Sequence, residues 1–446
     1  MNQNSSRRQS KVPSSRLGRL FHFGLMAGEL AAGALVAGAQ RLFGADPAAI
    51  GGDVFNPRNV QKLAQRLSHM RGAAMKLGQL LSLEGEDLIP PEFSEALAIL
   101  RAGANAMPAA QLKRVLGREY GKGWRRRFAE FHFEPLAAAS IGQVHWARTA
   151  DGRELALKIQ YPGVARSLNS DVDNAALLLR LVNFLPVDLD VSGLAAEAKR
   201  QLRQEADYLQ EARYLTHYRE LVADEPGLRM PRVHPELTTK RILAMDFTPG
   251  AALETLGQPA VPQHRRDAAG RLIERLLFRE LFEFRLMQTD PNFANYLFEP
   301  ETERIILLDF GSVREFAAEF VARYARICRA IIAGDRAAVR EAASDIGYLD
   351  RNASADHADG LVELIMLLCE PLRHRGPYDF AQSQLPARAR DLGFDLAFRR
   401  GYRRAPPPET VFLHRKLVGS FLLCARLRAR VDVQSLILPF LMTYGQ

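Results

Sequence analysis

Apolar residues recur at three- and four-residue intervals from Val60 to about Leu116, through Leu63, Leu67, Met70, Ala74, Leu77, Leu80 and Leu81. That is the period of a helix with one buried face. Pro90 and Pro91 interrupt it, and Pro91 can open the next helix, which runs through Leu97 and Leu100. Then the period shortens. Between Phe131 and Gln160 the pattern alternates, with Val144 and Trp146 before an Asp151-Gly152 turn and Leu155 and Leu157 after it, so a hairpin is expected. A long helix is expected from Val191 to Leu221, and short strands at Arg232–Val233 and Arg241–Phe247. After Pro249-Gly250 the pattern is helical to the end, apart from a strand pair at Tyr296–Phe298 and Ile305–Leu308.

These elements predict an α+β chain in four parts. Residues 1–57 form a basic leader with a small-residue helix, 58–130 a helical extension, 131–248 a small β-rich lobe and 249–446 a larger helical lobe. Two lobes imply a cleft between them.

Composition supports a folded chain: 446 residues, 47% hydrophobic and 25% charged. The net charge of +9 comes largely from arginines on helical patterns, with denser runs at Arg125–Arg127 and at Arg399, Arg400, Arg403 and Arg404. Solvated faces account for most of these, with phosphate or anionic lipid as the sharper alternative. Cys328, Cys369 and Cys424 are odd in number and widely spaced, so neither a disulfide framework nor a zinc site is expected, and a reducing cytosol fits. The apolar stretch Phe23–Ala39, interrupted by Glu29, is too short and too rich in Gly and Ala to span a bilayer. It is expected to pack on protein or on a membrane interface.

The most specific chemistry lies between Thr289 and Gly311. Phosphoryl transfer from ATP needs a carboxylate near the attacking oxygen, an amide oxygen on Mg²⁺, and a second carboxylate bridging the metal to the phosphates. Asp290, Asn295 and Asp309 supply that set in that order. The five-residue step from Asp290 to Asn295, the intervening strand pair and Asp309-Phe310-Gly311 are those of a kinase catalytic loop and its Asp-Phe-Gly motif. Upstream, Lys158 lies in an apolar strand, where kinases keep the lysine that grips the α- and β-phosphates. At the position of a glycine-rich loop the chain reads Ala137-Ala138-Ala139-Ser140, whose Cβ atoms stiffen the backbone against closing over phosphates. Met245, Asp246 and Phe247 fall at the strand-to-helix hinge, near the expected place of adenine. On a continuous helical wheel Leu202, Ala206 and Leu209 share a face with Glu205 beside them, and Asp207 and Glu211 lie toward the other side. That wheel makes Glu205 the partner of a buried lysine.

Lys76-Leu77-Gly78-Gln79, Ala137–Ser140, Glu205-Ala206-Asp207, Gln288–Asn292 and the Asp-Phe-Gly together resemble the UbiB family of atypical kinases, in its coenzyme-Q-linked branch. The similarity runs over roughly residues 15–440 and includes His414-Arg415-Lys416. The resemblance implies a two-lobe protein-kinase-like fold whose N-terminal extension covers the cleft. It gives Lys76, Gly78 and Gln79 a regulatory place there, facing Glu205 and Asp207, and gives Lys158 the later acid, Glu211. This assignment differs from the wheel's, and both stand at this point. Gln288-Thr289 replaces the usual His-Arg, and Asn292 stands where a catalytic-loop lysine is common. A helix expected from about Arg314 leaves no room for a long activation loop.

The expected activity is a Mg²⁺-dependent ATPase or small-molecule kinase supporting ubiquinone biosynthesis, with ATP or ADP and Mg²⁺ as cofactors. The alternatives are a catalytically silent nucleotide-binding scaffold and an antibiotic-type phosphotransferase, the latter disfavoured by the long helical leader. Candidate partners are an anionic membrane surface, quinone-biosynthesis enzymes or their lipid intermediates, and a second copy of the chain; nucleic acid is not expected. The expected location is cytoplasmic and peripheral to the inner membrane, matrix-facing in mitochondrial-type relatives.

Overall fold

The structure, a computed structural model, describes residues 72–74, 76–78, 107–181, 191–350, 352–402 and 406–444. The basic leader, Gln79 and most of the Val60–Leu100 helical pattern lie outside the described residues. The chain divides into two compact units, one of residues 1–216 and 232–248, the other of 217–231 and 249–446.

The first unit is built on an antiparallel sheet. After helix α1 (Ala109–Tyr120) come strands β1 (Phe128–Phe131), β2 (Ala137–Ala138), β3 (Gly142–Thr149) and β4 (Glu154–Gln160). Helices α2 (Val164–Leu181), α3 (Val191–Glu205) and α4 (Tyr208–Leu221) follow, the last five residues of α4 counting with the second unit. Strand β5 (Leu228–Arg229) belongs to the second unit, and β6 (Ile242–Asp246) returns to the first. The sheet order is β1-β3-β4-β6, with β2 paired to β3.

The expected hairpin is β3–β4, in register from Gly142↔Gln160 to Arg148↔Glu154. Gly152 takes φ +90° in its turn, a conformation that favours glycine. Gly142 is required for a different reason: a Cβ there would stand 2.3 Å from the Ile159 carbonyl oxygen. Leu155, Leu157 and Ile159 are fully buried, as are Leu243 and Ala244 on β6. Each large apolar side chain so buried contributes about 1.5–3 kcal/mol.

The helix expected from Val191 to Leu221 is two helices. It breaks at Ala206-Asp207 because Asp207 caps α4, its Oδ1 accepting the Gln210 N–H at 3.0 Å. Asp at a cap offers the backbone an alternative to continuing the helix. The strand expected at Arg232–Val233 is reduced to a single bridge between Val233 and Met245.

The second unit carries more short strands than its helical pattern suggests. Strands β7 (Ala251–Ala252), β9 (Tyr296–Glu299) and β10 (Arg304–Leu307) form a sheet with β5 in the order β5-β10-β9-β7. Helix α5 (Gln263–Phe278) continues as a π-helical turn, Arg279–Glu283, and leads to strand β8 (Leu286–Gln288). Strand β11 (Val313–Glu315) pairs antiparallel with β8, Val313 opposite Gln288. The helix expected at about Arg314 therefore starts later, as α6 (Ala318–Ala333), after the strand that β8 recruits. Beyond it lie α7 (Arg336–Ile346), α8 (Ala355–Leu368), α9 (Glu370–Arg373), α10 (Leu385–Phe394), α11 (Pro408–Leu427) and α12 (Val433–Thr443). Gly334 and Gly347, at φ +71° and +98°, end α6 and α7 in left-handed caps.

Candidate nucleotide and phosphoryl-transfer site

In the first unit, strand β4 aims Lys158 at helix α4. The ammonium donates to Glu211 Oε1 at 2.7 Å and sits 5.4 Å from the centre of the Tyr208 ring. Both charged residues are buried, so the pair is desolvated and geometrically fixed. The wheel's choice of Glu205 for Lys158 is thus corrected: the break at Ala206-Asp207 resets the helical phase, and the later acid reaches the lysine.

Glu205, the last residue of α3, has other partners. Its Oε1 accepts from Lys76 Nζ at 2.5 Å and its Oε2 from the Ser140 hydroxyl at 2.5 Å. Lys76 is 2% exposed, in a helical stretch whose Gly72 is so close to the alanine loop that a Cβ would lie 3.0 Å from the Ser140 carbonyl oxygen. Gly78 follows in the same stretch. Asp207 does not join this cluster; its carboxylate is used as the cap of α4.

The alanine loop is an ordered hairpin end. Ala137 and Ala138 pair with Val144 and Gln143, and the Ala139 N–H donates to the Gly142 carbonyl at 2.9 Å. Ala137 and Ala138 are exposed. At the end of β6, Met245 is buried, and the Asp246 carboxylate accepts from the Arg232 N–H at 3.1 Å and bonds His234 Nε2 at 2.7 Å. The Phe247 N–H donates to the Glu154 carbonyl at 3.0 Å.

In the second unit, the β8–β11 pair and the β9–β10 hairpin bring residues 289–295 and 308–312 together. Thr289 and Ser312 bond through backbone, at 2.8 Å, and through their hydroxyls, also at 2.8 Å. The Leu308 N–H donates to the Asn295 carbonyl at 3.1 Å. Asp290 and Asn295 therefore share one locality with Asp309. Asn295 Nδ2 donates to the Asp290 carbonyl at 2.9 Å and to its Oδ2 at 3.2 Å, an orientation that turns the amide oxygen away from Asp290. Asp309 Oδ1 accepts the Gly311 N–H at 2.8 Å, which orients that carboxylate. Phe310 is 1% exposed and packs on Tyr218, ring centres 4.7 Å apart. Asn292, where a lysine is common, instead accepts the Ala294 N–H at 3.1 Å and caps the short turn Phe293–Asn295.

The donor set suits magnesium. Mg²⁺ takes hard oxygen ligands, one or two from the protein and the rest from phosphate and water. An amide oxygen on Asn295 and a fixed carboxylate on Asp309 meet that requirement.

Helix α11 supplies what motif reading left without a role. Its Arg415 is ion-paired with Asp290 Oδ1, Gly419 backs Pro291 so closely that a Cβ would lie 1.9 Å from the proline Cγ, and Arg426 stands 5.5 Å from the Phe293 ring centre. Residues 415, 419 and 426 fall on one helical face, so a single helix runs along the loop from Asp290 to Phe293. The sequence signal was the charged trio His414-Arg415-Lys416 inside an apolar helical pattern. Glu280 and Tyr218, also buried behind this loop, carried no motif signal.

The fold and these two residue sets define a kinase-like protein. The chain matches the ABC1 atypical kinase-like domain over residues 99–343. The mitochondrial atypical kinase COQ8B of Rattus norvegicus is 39% identical over 431 residues, covering 96% of this chain and 81% of the relative. The mitochondrial atypical kinase COQ8 of Saccharomyces cerevisiae is 36% identical over 433 residues, covering 96% and 85%. Among solved structures, Rv3197 of Mycobacterium tuberculosis, determined in complex with erythromycin, aligns with a TM-score of 0.59 at 25% identity, covering 88% of this chain and 97% of that one. The chain belongs to the ABC1 atypical kinase-like family, the UbiB type linked to coenzyme Q.

Proposed function

We propose that this protein binds ATP with Mg²⁺ and either hydrolyses it or passes its γ-phosphoryl to a small acceptor, in support of ubiquinone biosynthesis. The observation that carries the reading is the Asp290–Asn295–Asp309 locality, in which backbone groups orient the Asn295 amide and the Asp309 carboxylate, and the Arg415 and Asn295 side chains orient the Asp290 carboxylate. Asn295 and Asp309 hold the metal, which when bound neutralises phosphate charge. Asp290 orients the attacking hydroxyl or water. Lys158, fixed by Glu211, grips phosphate oxygens. Such preorganised charges act without reorganising at the moment of reaction, and losing one donor costs on the order of 3–4 kcal/mol of transition-state stabilisation. Ala137, Ala138, Ala139 and Ser140 line the phosphate side, Met245–Phe247 the adenine side, and the Lys76–Gly78 helix regulates the alanine loop through Glu205 and Ser140.

A second reading, a nucleotide-binding scaffold without turnover, is favoured by one observation. Both Asp290 carboxylate oxygens are engaged, one by Arg415 and the other by Asn295. Steady-state ATP hydrolysis, with and without anionic liposomes and quinone-precursor phenols, separates the two. Turnover that Asp290→Asn removes supports an enzyme; nucleotide binding without turnover under every condition supports the scaffold.

Among the described residues no helix is long and apolar enough to cross a membrane. Peripheral, salt-sensitive binding to anionic bilayers is proposed for residues 1–45, whose basic residues contribute about 1 kcal/mol each near such a surface. Flotation of the full chain against a truncation starting at Asp53 tests it; equal flotation rules this segment out.

A further inference from the structure

Behind the Asp290 loop the second unit buries one charge of the His414-Arg415-Lys416 trio, and the resemblance assigns it no role. Lys416 on α11 lies 2.8 Å from Glu280 Oε2 on the π-helical turn, and the two side chains are 4% and 0% exposed. Burial alone would lower the ammonium's pKa, but Glu280 and Tyr296 outweigh it and hold it above its ordinary value. Glu280 Oε1 accepts from the Tyr218 hydroxyl at 2.6 Å and from the Gln288 N–H at 3.0 Å. Lys416 Nζ also points at Gln288 Oε1, at 3.5 Å. The opposite face of that amide, Gln288 Nε2, donates to the Asp290 carbonyl at 2.9 Å and to the Asp309 carbonyl at 3.3 Å.

A glutamine amide has one accepting end and one donating end, and its environment decides which way it faces. An ammonium on one side demands the oxygen there. The NH₂ is then presented to the two carbonyls, one from each site loop. With the amide turned round, NH₂ would meet NH₃⁺ and the Gln288 oxygen would meet two carbonyl oxygens, so the turned state is disfavoured on both sides.

We propose that Lys416 and Glu280 are positioning residues that fix the Gln288 amide as a clamp joining the Asp290 and Asp309 loops, so that metal and nucleotide meet both loops already in register. The proposal rests on the nucleotide-binding reading above. Its content is that an ion pair in the core sets the polarity of a single amide. That amide performs the cross-loop tie at the position where the chain lacks the usual histidine.

The test uses the full chain carrying Lys416→Met with Glu280→Gln. This double variant removes both charges together and keeps an acceptor for Tyr218 and the Gln288 N–H. Hydrogen exchange read by mass spectrometry is expected to accelerate about tenfold or more in residues 289–296 and 308–312 together, with residues 318–333 unchanged. Calorimetry is expected to show Mg²⁺-ADP binding weakened about tenfold, while metal-free ADP binding changes by less than about twofold, because the lost hydrogen bonds serve loop register. Gln288→Glu, which puts acceptors where the clamp must donate, should reproduce the exchange pattern with the ion pair intact, and it decides the matter if the double variant does not fold. Unchanged exchange in the two loops overturns the proposal. Equal acceleration in 318–333 overturns it as well, since that is the mark of a merely structural pair. If the unsubstituted chain binds no Mg²⁺-ADP, the functional reading fails, and the exchange result still decides the clamp.

Discussion

The guanidinium of Arg415 is ion-paired with the carboxylate of Asp290, from a helix that begins more than a hundred residues later in the chain. The arginine is 7% exposed and the aspartate 19%, so the pair is largely withdrawn from water. Removing one partner leaves a mostly buried charge without that counter-charge. Arg415→Ala is expected to lower stability by about 3 kcal/mol, read as a lower urea midpoint. Adding Asp290→Ala should restore part of that loss, with a coupling of about 1 kcal/mol or more in the double-mutant cycle. Simple additivity would mean that the two charges do not depend on each other.

The Lys158–Glu211 pair makes a parallel case in the first unit. Glu211 is 2% exposed, so Lys158→Met leaves a buried carboxylate without its cation, at an expected cost of about 3–5 kcal/mol. Lys158→Met with Glu211→Leu should be closer to the unsubstituted chain than Lys158→Met alone. Thermal unfolding of the two variants beside the unsubstituted chain decides it, and the reverse order would show that the pair is not what holds Glu211 in place.

Asp309→Asn is expected to abolish Mg²⁺-dependent stabilisation by ATP. At about 100 times its dissociation constant a ligand adds about 2.7 kcal/mol, an easily measured thermal shift. The Gly311 N–H can still be accepted by the asparagine oxygen, so the loop keeps its shape and the variant reports on charge. A full shift in Asp309→Asn would remove Asp309 from the metal site.

Two buried groups of the second unit give it opposing pH dependences. Burial pushes the Glu274 carboxyl up to about 7, against hydrogen bonds from Cys424 and Ser420 and the charge of Lys416. The folded state therefore keeps this proton between the ordinary carboxyl range and pH 7, and pays for ionising it above. Glu274→Gln is expected to stabilise the chain by on the order of 2 kcal/mol at pH 8, with the gain vanishing as pH falls toward 4.5. His414 is pushed down to about 4 by burial. The unfolded chain binds a proton there below about 6.5 and the folded chain does not, so this histidine removes stability as pH falls from 6.5 toward 4, at up to ~1.4 kcal/mol per pH unit. Urea unfolding across pH 4–8.5, with Glu274→Gln and His414→Phe, checks both signs.

Local pattern was enough for the β3–β4 hairpin, because an alternating run, a turn dipeptide and a second alternating run are all contained in thirty residues. It was also enough for the order Asp290, Asn295, Asp309, since the β9–β10 hairpin between them is local and returns the chain to its starting point. What local pattern misplaced were the points where a polar side chain competes with regular structure. Asp207 caps a new helix and so changes which acid meets Lys158. The chain after Gly311 pairs with β8 before any helix begins, an event set by a partner strand twenty-five residues upstream.

Composition, periodicity and motif spacing by themselves determined the α+β class, the family resemblance and the identity of the phosphate- and metal-binding candidates, because those depend on residue type and on contacts close in sequence. Only the tertiary structure decided which charges share an ion pair. Lys76 meets Glu205, Lys158 meets Glu211, Asp290 meets Arg415 and Glu280 meets Lys416, across separations of 53 to 136 residues. A helix or strand pattern says which side of an element is buried but not which distant element covers it. Where a buried charge is concerned, that covering element determines whether the charge is matched or left to bear its full desolvation cost.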